Sequence, residues 1–165
     1  MCPSGRAIAQ IQFKERDMST SNVSMQNVDS NLLWKGALAG IIGGFPFGFM
    51  MWMMGMMPMI GMLIRVDSTL AGVLVHAAIS AITGSIYAIF AVRFPLTWTN
   101  AILGGLIYGV VWWVLGALIL MPAMLGMFEN IFAIGQMQWM SLLGHLIFGV
   151  VLALAFVWLN RRETV

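Results

Sequence analysis

Residues 47–63 read FGFMMWMMGMMPMIGML, and the fold turns on how that run is hosted. It belongs to a longer stretch, residues 36–64, with no charged side chain over 29 residues. Eight methionines fall between Met50 and Met62, and glycine recurs every fourth residue at Gly36, Gly40, Gly44 and Gly48. Such a surface is not stable in water, and a small domain has no core deep enough to hide it. A bilayer core about 30 Å thick is crossed by about 20 apolar helical residues, so the stretch spans with residues left over. Pro58 removes a backbone donor and clashes with the preceding turn. The expected span is therefore 33–57, with a proline-marked bend near the far membrane face. Pro46 is expected to kink that helix without ending it, because neighbours re-satisfy the freed carbonyl.

Composition places the whole chain in the same class. Of 165 residues, 61% are hydrophobic and 8% charged, against about 25% charged in a soluble domain. Mean hydropathy is +0.92. The net charge of +2 comes from only eight scattered basic residues, which argues against nucleic acid as a partner. The single cysteine, Cys2, excludes an intramolecular disulfide and a thiolate cluster. It follows Met1 with no apolar segment ahead of it, so lipidation is not expected.

Residues 1–31 form the one long polar region and bury too little apolar surface to offset their ordering entropy. A disordered cytoplasmic tail is expected, with at most a short surface helix at 8–13. The alternative is a docking tail for a soluble partner. Asn22 sits in a glycosylation sequon without meaning on a cytoplasmic segment. Asp29, Ser30 and Asn31 are good N-cap types. Four apolar blocks follow, at 32–64, 70–92, 101–128 and 137–159, joined by short links at 65–69, 93–100 and 129–136. Short links force antiparallel neighbours, so residues 32–160 are expected to form an all-α, integral membrane, up-down-up-down four-helix bundle.

Lysine and arginine set the orientation. Arg6, Lys14, Arg16, Lys35, Arg93, Arg161 and Arg162 lie on one side, and only Arg65 on the other. The positive-inside rule puts both termini in the cytoplasm, in a multi-pass protein of the cell membrane. Trp34, Trp98 and Trp158 fit the cytoplasmic interface and Trp139 the outer one. Trp52, Trp112 and Trp113 fall inside spans as packing residues.

The two halves resemble each other. A slide of 65 residues puts Gly40 on Gly105, Gly44 on Gly109 and Gly61 on Gly126. It also puts Met56, Met59 and Met62 on Met121, Met124 and Met127, and Pro58 within one position of Pro122. His76 pairs with His145 after a four-residue insertion. The reading is a duplication, with repeats at about 36–93 and 101–160. Each unit has two spans, so the halves insert the same way round about an axis along the membrane normal. Helices in lipid associate by close contact rather than apolar burial. The strips Gly36, Gly40, Gly44, Gly48 and Gly105, Gly109 are therefore expected to face each other, or a helix of the other unit. They also offer faces for homo- or hetero-oligomers within the lipid bilayer. The alternative is that they clear a substrate path.

Thioethers select soft Cu(I), yet at 100° per residue the eight methionines point all round the helix and serve mostly as flexible filler. Met56, Met59, Met62 and Met121, Met124, Met127 differ, since each set advances by three. His76 and His145 lie early in helices that descend from the same face, so imidazoles and thioethers have a route to converge in two copies. His76, Ser80, Thr83 and Tyr87 follow one helix face, and Ser141, His145 and Gly149 match that pitch. Intramembrane ionisable groups read as functional by default. Three readings stay open: histidines satisfied by local hydroxyls and carbonyls, a metal site, or a proton or solute path. The expected arrangement is the first, without a metal. Both rings face the interior at similar depth, bonded to the carbonyls of Met54 and Leu118 that Pro58 and Pro122 free. No Asp or Glu lies within a span, and no nucleophile–base–acid set, phosphate loop or zinc spacing occurs. No cofactor is expected and an enzyme is not.

The glycine-rich first helix, the block LGALILMPAMLGM and the closing block GHLIFGVVLALAFVWL resemble a group of small four-span bacterial and archaeal membrane proteins of unknown function. More distantly, they are similar to the YagU-like inner-membrane proteins. The resemblance covers about residues 36–159, implies the four-span fold and implies no chemistry. The leading function is a non-enzymatic structural or interaction module. The runner-up is a small solute or proton transporter, or a soft-metal (copper) handler.

Overall fold

The computed structural model describes residues 30–161. The tail expected before residue 30, its surface helix and the cap at Asp29 lie outside the described residues. Four helices are long and apolar enough to cross a membrane: Ser30–Met53, Thr69–Ala91, Trp98–Met124 and Gln136–Arg161. The chain is an all-α four-helix membrane bundle. The first helix, α1 (Ser30–Met53), starts at Ser30, so residues 30 and 31 are helical rather than tail. After α1 come a short α2 (Met57–Gly61), then α3 (Thr69–Ala91) and α4 (Trp98–Trp112). A π-helical stretch, Trp113–Leu120, continues α4 into α5 (Met121–Met124), and α6 (Gln136–Arg161) closes the chain.

The break after α1 is not made by Pro58. Gly55 adopts φ +69°, the left-handed conformation that costs an L side chain about 1–2 kcal/mol. Its N–H reaches Trp52 O at 3.0 Å and the Met56 N–H reaches Met51 O at 2.9 Å, which is a Schellman cap. Pro58 comes later, at the start of α2, where its missing N–H has no helical partner to lose. The span is therefore Ser30–Met53, not 33–57. The third span ends the same way: Gly126 has φ +74°, Gly126 N–H bonds Ala123 O at 3.1 Å and Met127 N–H bonds Pro122 O at 2.8 Å. Pro122 thus lies before its cap and Pro58 after, so the two prolines are not equivalent.

Glycine contacts decide the packing. A Cβ on Gly36 would sit 2.6 Å from Gly84 O and 2.9 Å from Ser85 Cα, so α1 and α3 touch backbone to backbone. A Cβ on Gly105 would sit 2.5 Å from Gly149 O and 2.9 Å from Val150 Cα, so α4 and α6 do likewise. This corrects the expected pairing. Each strip lies against the second helix of its own half, because Gly84 and Gly149 supply the matching gap there. The halves meet elsewhere: Gly43 lies against Phe148 and Leu152, and Gly144 against Phe47 and Met50. α3 and α4 meet through side chains, with the Tyr87 and Tyr108 rings 5.1 Å apart. Across the bundle the order is α3, α1, α6, α4, and the tyrosines close the ring. Phe156, Leu152 and Val157 are the largest fully buried side chains, all on α6.

The same contacts correct the register between halves. Gly36 and Gly40 meet α3 as Gly105 and Gly109 meet α6, with Gly84 matching Gly149. The first helices therefore correspond at an offset of 69 and the second at 65, the reverse of the alignment by glycine and methionine spacing. The cap glycines Gly55 and Gly126 correspond at 71. The two extra residues fall in the π-helical stretch, where wider turns absorb insertions. In this register Ser80 corresponds to His145 and His76 to Ser141.

Candidate functional site

The two histidines meet one aromatic ring. Phe47 of α1 meets His76 edge-on at 5.6 Å and His145 at 4.7 Å. They share that neighbour, although they are not equivalent in the register of the halves. His76 Nε2 lies 3.0 Å from Gly44 O. A carbonyl only accepts, so this nitrogen carries the proton. His145 Nδ1 lies 2.8 Å from Ser141 O, with Ser141 Oγ 3.3 Å away, and donates to the carbonyl of its own helix. Each imidazole gives its proton to a backbone oxygen within its own half.

The acceptors differ from those expected. Met54 lies beyond the end of α1, so Pro58 frees no helical carbonyl there. Leu118 O, which Pro122 does free, is taken by the Phe132 N–H at 3.2 Å. Phe132 reaches it by adopting φ +61°. The neighbouring proline is instead Pro46, inside the continuous helix α1 and one residue from Phe47.

The polar stripe on α3 splits between two seams. His76 and Ser80 face α1. The Thr83 hydroxyl turns back to Ile79 O at 2.8 Å and Ser80 O at 3.1 Å. Tyr87 is buried against Tyr108 and, at 5.7 Å, Phe156. The Tyr108 hydroxyl donates to Thr83 O. Sequence reasoning passed over Tyr108 and also Ser85, whose hydroxyl reaches Leu33 O at 3.1 Å. Tyr108 and Tyr87, the two tyrosines of the chain, were the available signal. Trp113 donates from Nε1 to Gln138 O at 3.0 Å, and Trp112 Nε1 is buried without a partner among the described residues. Trp52, expected to pack inside, is 56% exposed on the outside of the bundle.

The methionine sets do not gather around the imidazoles. Met59, Met62, Met124 and Met127 are exposed on the outside, and Met56 and Met121 are half-buried. The thioether that approaches His76 is Met57: a Cβ on Gly48 would lie 3.0 Å from His76 Nε2 and 3.6 Å from Met57 Cε. Met57 escaped notice because α2 turns it inward, and no helical spacing from α1 foretells that. Among the described residues, no three His, Cys, Asp or Glu side chains cluster as a metal set.

Gly44 and Gly48 leave a cleft of about 250 Å³ between α1 and α3. His76 and Ser80 lie along it, and Phe45, Phe49 and Trp52 stand at its exposed edge. His145 is not among its lining residues. The cleft opens sideways, towards the surface that faces lipid. No protein-family model, curated protein or solved structure matches the chain.

Proposed function

We propose that this membrane protein is a non-enzymatic structural or interaction module rather than a catalyst or a carrier. One observation carries the reading. Both intramembrane histidines give their ring protons to backbone carbonyls inside the bundle, which is how a helix bundle satisfies polar groups in a medium without water. The cleft beside His76 is apolar and lateral, so it supports neither a transbilayer path nor a relay between the two imidazoles. The halves represent a duplication, supported by the matched glycine contacts and the two matched caps. Both termini lie in the cytoplasm, supported by the seven-to-one placement of Lys and Arg. Kinship with the YagU-like inner-membrane proteins fits the same four-span plan.

The test uses purified protein in phosphatidylcholine vesicles. The expected outcome is proton and Cu(I) flux equal to that of empty vesicles, and copper well below one atom per chain. Stoichiometric copper, or a flux abolished by His76→Ala, overturns the reading in favour of transport or soft-metal handling. Reporter fusions at Ser68 and Val165 check orientation: Ser68 outside and Val165 inside are expected, and either reversed defeats it.

A further inference from the structure

The Ser80 hydroxyl has no assignment in the bundle. Ser80 is 3% exposed, and its hydroxyl takes no hydrogen bond among the described residues, whereas Thr83 and Ser85 on the same helix both satisfy theirs. Ser80 lines the cleft between α1 and α3, with its Oγ against the vacant side-chain position of Gly44. The Ser80 Oγ opens on the cleft wall rather than being enclosed, and a donor left unpaired where no water reaches costs about 1–3 kcal/mol, so this hydroxyl points to a ligand atom in the cleft. Ser80 stands eleven residues into α3, about 16 Å along the axis. That is near the middle of a core about 30 Å thick, too deep for a lipid headgroup.

From these features we infer that the cleft binds a neutral, bilayer-dissolved aryl carbonyl compound, such as a single quinone-type ring. The inference rests on the membrane reading above. The carbonyl oxygen accepts from Ser80 Oγ–H. The ring lies along Phe45, Phe49 and Trp52, whose faces favour offset or edge contacts with another aromatic group. A volume of about 250 Å³ falls below the 300–1,000 Å³ typical of drug-sized ligands and suits one substituted ring. His76 serves as wall rather than ligand, because its Nε2–H is held by Gly44 O.

The experiment photolabels the full chain in phosphatidylcholine vesicles with para-azidoacetophenone, a single-ring aryl ketone, with tetramethylbenzoquinone as unlabelled competitor and peptide mapping by mass spectrometry. Saturable labelling of α1 and α3 beside the cleft, displaced by the quinone, is expected. Ser80→Ala should weaken displacement about five-fold. Ala77→Leu should fill the cleft and abolish labelling with an unchanged circular dichroism spectrum. Ser85→Ala, whose hydroxyl faces backbone carbonyls, should leave labelling unchanged. Labelling that does not saturate, spreads over every lipid-facing helix, survives both cleft variants, or is replaced by cross-links to a second copy overturns the inference. Failure of the chain to float with vesicles would instead defeat the membrane reading, which separates the two.

Discussion

Gly104 and Gly105 are adjacent on α4, and one methyl group should separate them sharply. A Cβ on Gly104 meets only Tyr87 Oη at 3.7 Å, an ordinary contact. A Cβ on Gly105 meets Gly149 O at 2.5 Å, Gly149 C at 2.8 Å and Val150 Cα at 2.9 Å. All three atoms are backbone and cannot rotate aside. To restore contacts near 3.4 Å, α6 must retreat by about 0.9 Å. That retreat also loosens the contact that Gly109 makes one turn away. Overpacking of this kind costs about 1–3 kcal/mol, and a backbone clash belongs at the upper end. Gly104→Ala has the opposite sign, a gain of up to about 1 kcal/mol from helix propensity. The two variants should differ by about 3–4 kcal/mol, or about two to three orders of magnitude in the unfolding equilibrium. Reversible unfolding in mixed detergent micelles, followed by circular dichroism, reads this directly. Gly105→Ala as stable as Gly104→Ala, within 0.5 kcal/mol, would refute close backbone packing as the basis of the bundle.

Two further predictions use the same unfolding measurement. Nothing lies within 4 Å of a Cβ on Gly55 or Gly126, so Gly55→Ala and Gly126→Ala should each cost about 1 kcal/mol through conformation alone. Asn should recover part of the loss, and a neutral result for Ala at both positions would remove the capping argument. His76→Ala should cost about 1–2 kcal/mol by removing the bond to Gly44 O and the edge contact with Phe47, and Tyr108→Phe about 0.6 kcal/mol. Wild-type stability in both would show that neither bond holds its seam.

The sequence by itself determined the solvent, the number of spans and their order. Those follow from the lengths of uncharged runs and the shortness of the links, which involve neighbours in the chain alone. It also determined that glycine would make the contacts, because only glycine recurs at helical spacing in residues 36–48. It did not determine which contacts. Every fourth-residue strip looks alike until a partner with a matching gap is in place, and Gly84 and Gly149 were that partner. Register failed for a related reason. The slide that aligned methionines set the first-helix glycines one turn off, because Gly40 and Gly44 are both four residues from a glycine and only the contacts with Gly84 and Gly149 distinguish them. Pro58 misled because proline signals a break only where a helix would otherwise continue, and the left-handed Gly55 had already ended it. The site divides along the same line. His76, Ser80 and His145 stand out in sequence as rare polar groups in apolar runs. Their partners, Gly44 O, Phe47 and Ser141 O, are backbone atoms or ordinary core residues. Tertiary packing alone selects Gly44 O and Phe47, which are distant in the chain, whereas Ser141 O lies one turn back on His145's own helix. In a medium without water the histidine protons go to the backbone carbonyls within reach.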